Sequence, residues 1–72
     1  MKTLSSREVE RILKRNGFEF VRQRKGHRQF VGYVQGQKRR VTVPGNKKEI
    51  PKRTLASIIR QSGLGRKKFF GK

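Results

Sequence analysis

The apolar side chains of this chain fall into five short groups: Val9, Ile12 and Leu13; Phe18, Phe20 and Val21; Phe30, Val31, Tyr33 and Val34; Val41 and Val43; and Leu55, Ile58 and Ile59. Each group is too short to form more than one face of one element. Glycine, proline or asparagine stands between neighbouring groups, so the chain is confined to a few short elements sharing a single core. The grouping matters because charged residues make up 35% of the chain and hydrophobic ones 31%, a balance that would leave the chain disordered if the apolar residues were scattered.

Ser5 reads as the cap of a first helix. Glu8 stands three residues on to close a capping box, and Leu4 and Val9 hold the two positions of a hydrophobic staple. The helix is expected to run to about Arg15, with Asn16-Gly17 as a left-handed stop. Phe18-Glu19-Phe20-Val21 begins a strand with Phe18 and Phe20 on one side. A turn at Arg24-Lys25-Gly26 places His27 at the mouth of a second strand, His27 to Val34. Gln35-Gly36-Gln37 makes the next reversal, and Arg39 to Val43 forms a third strand ended by Pro44-Gly45-Asn46. Pro51 suits the first position of a second helix carrying Leu55, Ile58 and Ile59, which stops at Gly63 with Leu64 folding back. The expected fold is α+β, α-β-β-β-α, with a three-stranded antiparallel sheet covered by two helices on one face and the other face wet. Residues 66–72 are expected to be a loosely held basic tail.

The 72 residues suffice for one domain, and the absence of cysteine leaves no disulfide framework or thiolate metal site. Twenty-one Lys and Arg against four acids give a net charge of +17, which makes nucleic acid the expected partner. No apolar run approaches a membrane span, so no membrane partner is expected. Met1-Lys2-Thr3-Leu4 is not followed by the apolar stretch of a signal peptide, and a cytoplasmic location is the expectation.

His27 is the one histidine. An unperturbed imidazole can exchange a proton near neutral pH, which Lys and Arg normally cannot, so a histidine set in a phosphate-attracting surface fits the metal-free cutting of RNA. That reaction needs a proton taken from the 2′-hydroxyl, negative charge stabilised on phosphorus and a proton given to the leaving oxygen. Arg24, Lys25 and Arg28 flank His27 as candidates for the second task, with Gly26 offering backbone N–H groups in the turn and Arg22 as a further candidate RNA contact. Lys47, Lys48, Lys52 and Arg53 bracket the start of the second helix, where unpaired N–H groups favour phosphate. Tyr33, three residues after Phe30, is expected on the opposite face of the strand: with Phe30 toward the helices it lies on the open sheet face, where it would pack against a base or a partner protein, and a register slip of one exchanges the two. Glu8, Glu10, Glu19 and Glu49 form no recognisable metal set, so neither a metal nor a small-molecule cofactor is expected. Residue types alone leave a second reading open: a non-catalytic basic RNA-binding protein associated with translation, in which His27 merely occupies a hairpin.

A resemblance separates the two. Asn16-Gly17-Phe18-Glu19-Phe20-Val21-Arg22-Gln23, His27, Val41-Thr42-Val43-Pro44, Gly45-Asn46-Lys47-Lys48-Glu49-Ile50-Pro51 and Thr54 to Leu64 together resemble, in order and spacing, the HicA (YcfA-like) family of toxin mRNA interferases from toxin-antitoxin systems. The resemblance implies a small double-stranded-RNA-binding-like domain over residues 1–65, with the basic tail 66–72 outside it. It implies a metal-independent endoribonuclease acting on single-stranded RNA and mRNA, with His27 as its catalytic residue and a HicB-type antitoxin as its inhibitor. The chain departs from the family at two points. The family's Gly-Ser-His motif reads Lys25-Gly26-His27 here, which removes a hydroxyl. Gly45-Asn46 stands where many members carry a second histidine after the Val-Pro pair.

Overall fold

The computed structural model describes residues 3–70. Helix α1 spans Ser6–Arg15 and is opened by the expected capping box: the Glu8 N–H donates to Ser5 Oγ at 3.1 Å and the Ser5 N–H to Glu8 Oε1 at 2.9 Å. It closes in a Schellman arrangement, with Gly17 at φ 90° and the Phe18 N–H donating to the Leu13 carbonyl at 2.9 Å. That bond places Phe18 just ahead of the sheet rather than in it, and strand β1 runs Glu19–Arg24.

Strands β2 (His27–Val34) and β3 (Gln37–Pro44) complete an antiparallel sheet in the order β1-β2-β3. Both hairpins use two-residue loops with paired left-handed residues: Lys25 and Gly26 at φ 51° and 80°, Gln35 and Gly36 at φ 54° and 77°. This geometry matches the natural twist of the strands it joins. Strand β3 is longer at both ends than its sequence suggests, because Gln37 and Lys38 pair with Val34 and Tyr33, and Pro44 pairs with His27. Pro44 is tolerated because β3 is an edge strand, where a missing N–H breaks no ladder.

Cross-strand pairs share a sheet face, so the register divides the side chains. Phe30, Val41 and Val43 are fully buried on one face, against α1 and against α2 (Lys52–Ser62), whereas Tyr33 lies 68% exposed on the other. Pro51, with an extended ψ of 146°, is the cap residue of α2 rather than its first helical position, one residue from the expected place. The core joins Val9 and Leu13 of α1, Phe18, the three sheet residues, Ile50, and Leu55 and Ile58 of α2. Gly32 belongs to it by omission: a Cβ there would fall 2.7 Å from the Phe18 ring, so the ring lies flat against β2 only because residue 32 has no side chain.

The tail departs from expectation. Residues Arg66–Phe70 form a short helix, α3, and Phe69 is buried in the core at 4% exposure. A five-residue helix has no stability of its own, so the burial of Phe69 is what holds it. The same expectation for Gly71 and Lys72 lies outside the described residues.

Candidate nucleic-acid interface around His27

His27 is exposed at the first position of β2, with Arg24 across the hairpin on one side and Pro44 on the other. Its surroundings are set by three devices. The first is a bulge in β1: Glu19 and Phe20 pair with Val31 and Phe30, but the register then shifts and Arg22, Gln23 and Arg24 pair with Gln29, Arg28 and His27. The inserted residue is Val21. Without it, Arg22 and Arg24 would share the inner face with Phe20; with it, they share the face of His27. One extra residue turns two arginines toward the imidazole.

The second device is the tie between the turn before His27 and the loop after β3. The Gly45 N–H donates to the Gly26 carbonyl at 2.8 Å, and a Cβ on Gly45 would lie 2.9 Å from that oxygen. The third is buried Ser6. Its hydroxyl donates to the Pro44 carbonyl and accepts from the Lys47 N–H at 3.0 Å, while its own N–H donates to the Lys47 carbonyl at 2.9 Å. Together with the Ile50 N–H to Leu4 carbonyl bond, these contacts pin residues 44–50 to the start of α1 and fix the backbone of Lys47.

The result is a groove of about 540 Å³ running from His27 around the β3 edge to α2. His27, Thr42, Pro44 and Lys47 form one wall, and Arg53, Thr54, Ser57 and Gln61 the other. Gln61 also closes the strand edge, its Oε1 accepting from the Thr42 N–H at 3.2 Å. Helix α2 thus has three stripes. Leu55, Ile58 and Ser62 are buried; Arg53, Ser57 and Gln61, spaced by four, face the histidine; Lys52, Ala56 and Arg60 lie on the remaining side. Thr42, Thr54, Ser57 and Gln61 were not among the residues expected at the site. The signal for Ser57 and Gln61 was their four-residue spacing with Arg53 on α2, which has no meaning until β3 is known to lie beside it; Thr42 and Thr54 carried none.

The other expected residues divide. Arg24 pairs with His27 across the hairpin, Lys25 is the first residue of the turn between them, Arg22 lies further along β1 on the face of His27, and all three are exposed. Gly26 supplies the second left-handed residue of the turn, where the family's serine would be strained; the departure at this position therefore suits this backbone. Arg28 points the other way. It is half-buried on the helix side, its Nε 2.7 Å from Glu10 Oε2, its Nη1 donating to Gln23 Oε1 at 3.1 Å and its guanidinium 4.4 Å from the centre of the Phe20 ring. Its charge is matched within the fold. Lys48 lines a hollow with Ser5, Arg7 and Asn46 next to the groove, and Lys52 lies on the far side of α2. Tyr33 shares the face of His27 but stands six residues along β2, about 20 Å away at the usual strand rise. Glu49 is exposed in the loop and is not part of the groove lining. Among the described residues no three His, Cys, Asp or Glu side chains gather as metal ligands, and no helix is long and apolar enough to cross a membrane.

Fold and groove define a class: a small basic α+β domain that presents one exposed imidazole among cations. The family described as HicA toxin of bacterial toxin-antitoxin matches residues 6–64 of the chain, from the first residue of α1 to the residue after the α2 stop. The chain belongs to the HicA toxin family. A search of curated proteins returns no match.

Proposed function

We propose that this chain is an mRNA-cutting toxin, a metal-independent endoribonuclease that uses His27 for proton transfer and is held inactive by a HicB-type antitoxin covering the groove. The observation that carries the reading is the placement of the one imidazole, exposed, in a groove that also holds Lys47 and Arg53. In this reading the 2′-oxygen of the substrate attacks phosphorus, the 5′-oxygen departs and a 2′,3′-cyclic phosphate is left. His27 moves a proton at one of the two oxygens. Lys47 and Arg53 stabilise the charge that builds on the phosphoryl oxygens. Arg22, Arg24 and Lys25 draw the strand over the open face, with Lys48 extending the cationic track at the loop. Tyr33 meets a base several nucleotides away. Membership of a toxin family of toxin-antitoxin systems supports both the activity and the protein partner.

The test is cleavage of a defined single-stranded RNA in excess chelator by the purified chain and by its His27→Ala form, with the product ends mapped. The expected result is 2′,3′-cyclic phosphate ends from the parent and a loss of roughly 10²- to 10⁴-fold in the variant, with RNA binding retained. Cleavage unchanged in His27→Ala, or 5′-phosphate products, overturns the mechanism. Binding without any product from the parent chain identifies a non-catalytic RNA-binding protein instead.

A further inference from the structure

We propose that the groove between α2 and α3 is a docking site for an acidic amphipathic helix of a partner protein, on the side of α2 turned away from His27. The groove has a volume of about 390 Å³. Its floor is Leu55, Ala56, Ile59 and the Phe70 ring, and its rim is Lys52, Arg60 and Arg66. The Arg66 guanidinium sits 5.9 Å from the centre of the Phe70 ring, so the cation and the aromatic edge form one surface. An apolar trough between cations is complementary to a helix with large apolar residues at i, i+3, i+4 and i+7 and carboxylates on either side.

Charge chooses the occupant. The whole chain has four acids, all glutamates, and two of them are engaged, Glu8 in the α1 cap and Glu10 with Arg28. A second copy would bring a further +17 to a cationic rim and be repelled. RNA suits the rim, and a base could stack on Phe70, but the aliphatic Leu55, Ala56 and Ile59 that make up the rest of the floor offer bases neither hydrogen-bond partners nor a flat stacking surface. A foreign acidic helix satisfies both. The groove exists because α3 is folded down by Phe69; α3 lies beyond residues 6–64, so one wall, Arg66 and Phe70, is supplied by this chain's C-terminal segment while α2 supplies the rest. The inference goes beyond the RNA-cutting reading and does not rest on it.

The probe is a fluorescent synthetic peptide with leucines at helical i, i+3, i+4 and i+7 positions and glutamates between them. It is titrated into the full chain beside a scrambled peptide of the same composition, with backbone amide shifts recorded by NMR and a short single-stranded RNA run as a separate arm. The ordered peptide is expected to bind roughly tenfold or more tightly than the scrambled one and to shift Ala56, Ile59 and Phe70. Ala56→Arg, which fills the trough while adding positive charge, and Phe70→Ala, which removes one wall, are each expected to weaken it by roughly tenfold, with RNA affinity retained. Equal binding of the scrambled peptide, shifts centred on His27 and Gln61, no effect of either variant, or RNA shifting Ala56 and Phe70 overturns the proposal. Loss of His27-dependent cleavage would leave these outcomes unaltered.

Discussion

The backbone N–H of Gly45 and the carbonyl of Gly26 meet at 2.8 Å, joining the turn that precedes His27 to the loop that carries Lys47. The contact closes only because Gly45 brings no side chain into it, whereas a Cβ on Gly26 would point into open space. Gly45→Ala puts a methyl 2.9 Å from the Gly26 oxygen and must push the two segments apart. The expected cost is about 1–3 kcal/mol in denaturant unfolding, accompanied by a fall in RNA cleavage as His27 and Lys47 lose their register. A variant that matches the parent in both measurements would show that the tie does not position the site.

Ser6 is a second fastening, on the other side of the same loop. Removing its hydroxyl with Ser6→Ala leaves the Pro44 carbonyl and the Lys47 N–H without their partner in a largely buried place. Unsatisfied groups of this kind cost about 1–3 kcal/mol. The midpoint of chemical denaturation should fall accordingly, whereas the exposed neighbour substitution Arg7→Ala should leave it within about 0.5 kcal/mol.

Arg53 and Lys67 carry the same charge in different places, one in the His27 groove and the other exposed on α3. If the groove holds the phosphate chain, Arg53→Ala lowers the slope of log affinity against log salt by about 0.7 for single-stranded RNA. Lys67→Ala should leave that slope nearly unchanged. Equal effects of the two substitutions would mean that RNA is held by diffuse charge rather than by the groove.

Gly32 tests packing apart from chemistry. In Gly32→Ala the new methyl meets the Phe18 ring at 2.7–2.9 Å, and the ring is buried in the core. Overpacking at such a position costs about 1–3 kcal/mol. Thermal unfolding should occur at lower temperature, and cleavage measured well below the transition should remain near the parent rate because the His27 groove is formed elsewhere. A loss of cleavage without a loss of stability would contradict this division.

Much of the architecture was legible from local chemistry. The Ser5–Glu8 box, the Asn16-Gly17 stop, the left-handed Gly26 and Gly36, and the Gly63 stop act over a few residues, so the chain alone determines them. The three-residue offset between Phe30 and Tyr33 likewise assigns them to opposite faces of β2, and the core and open faces confirm it. His27 at the mouth of a strand was readable for the same reason. Local pattern did not reveal the bulge at Val21, because a bulge is a relation between two strands, and without it Arg22 and Arg24 would face inward. Arg28 looked like its basic neighbours, yet strand alternation sends it to Glu10 and Phe20 on the other face.

By itself, then, the sequence determined the order of the first five elements, the caps and turns that separate them and which side chains were apolar enough to be buried, since capping, turn geometry and periodicity are properties of neighbouring residues. Only the tertiary structure decided that Arg53, Ser57 and Gln61 stand opposite His27, and that Phe69 turns a basic tail into a helix. Those outcomes depend on contacts between residues far apart in the chain, whose energy is realised only once the sheet and helices close around a common core.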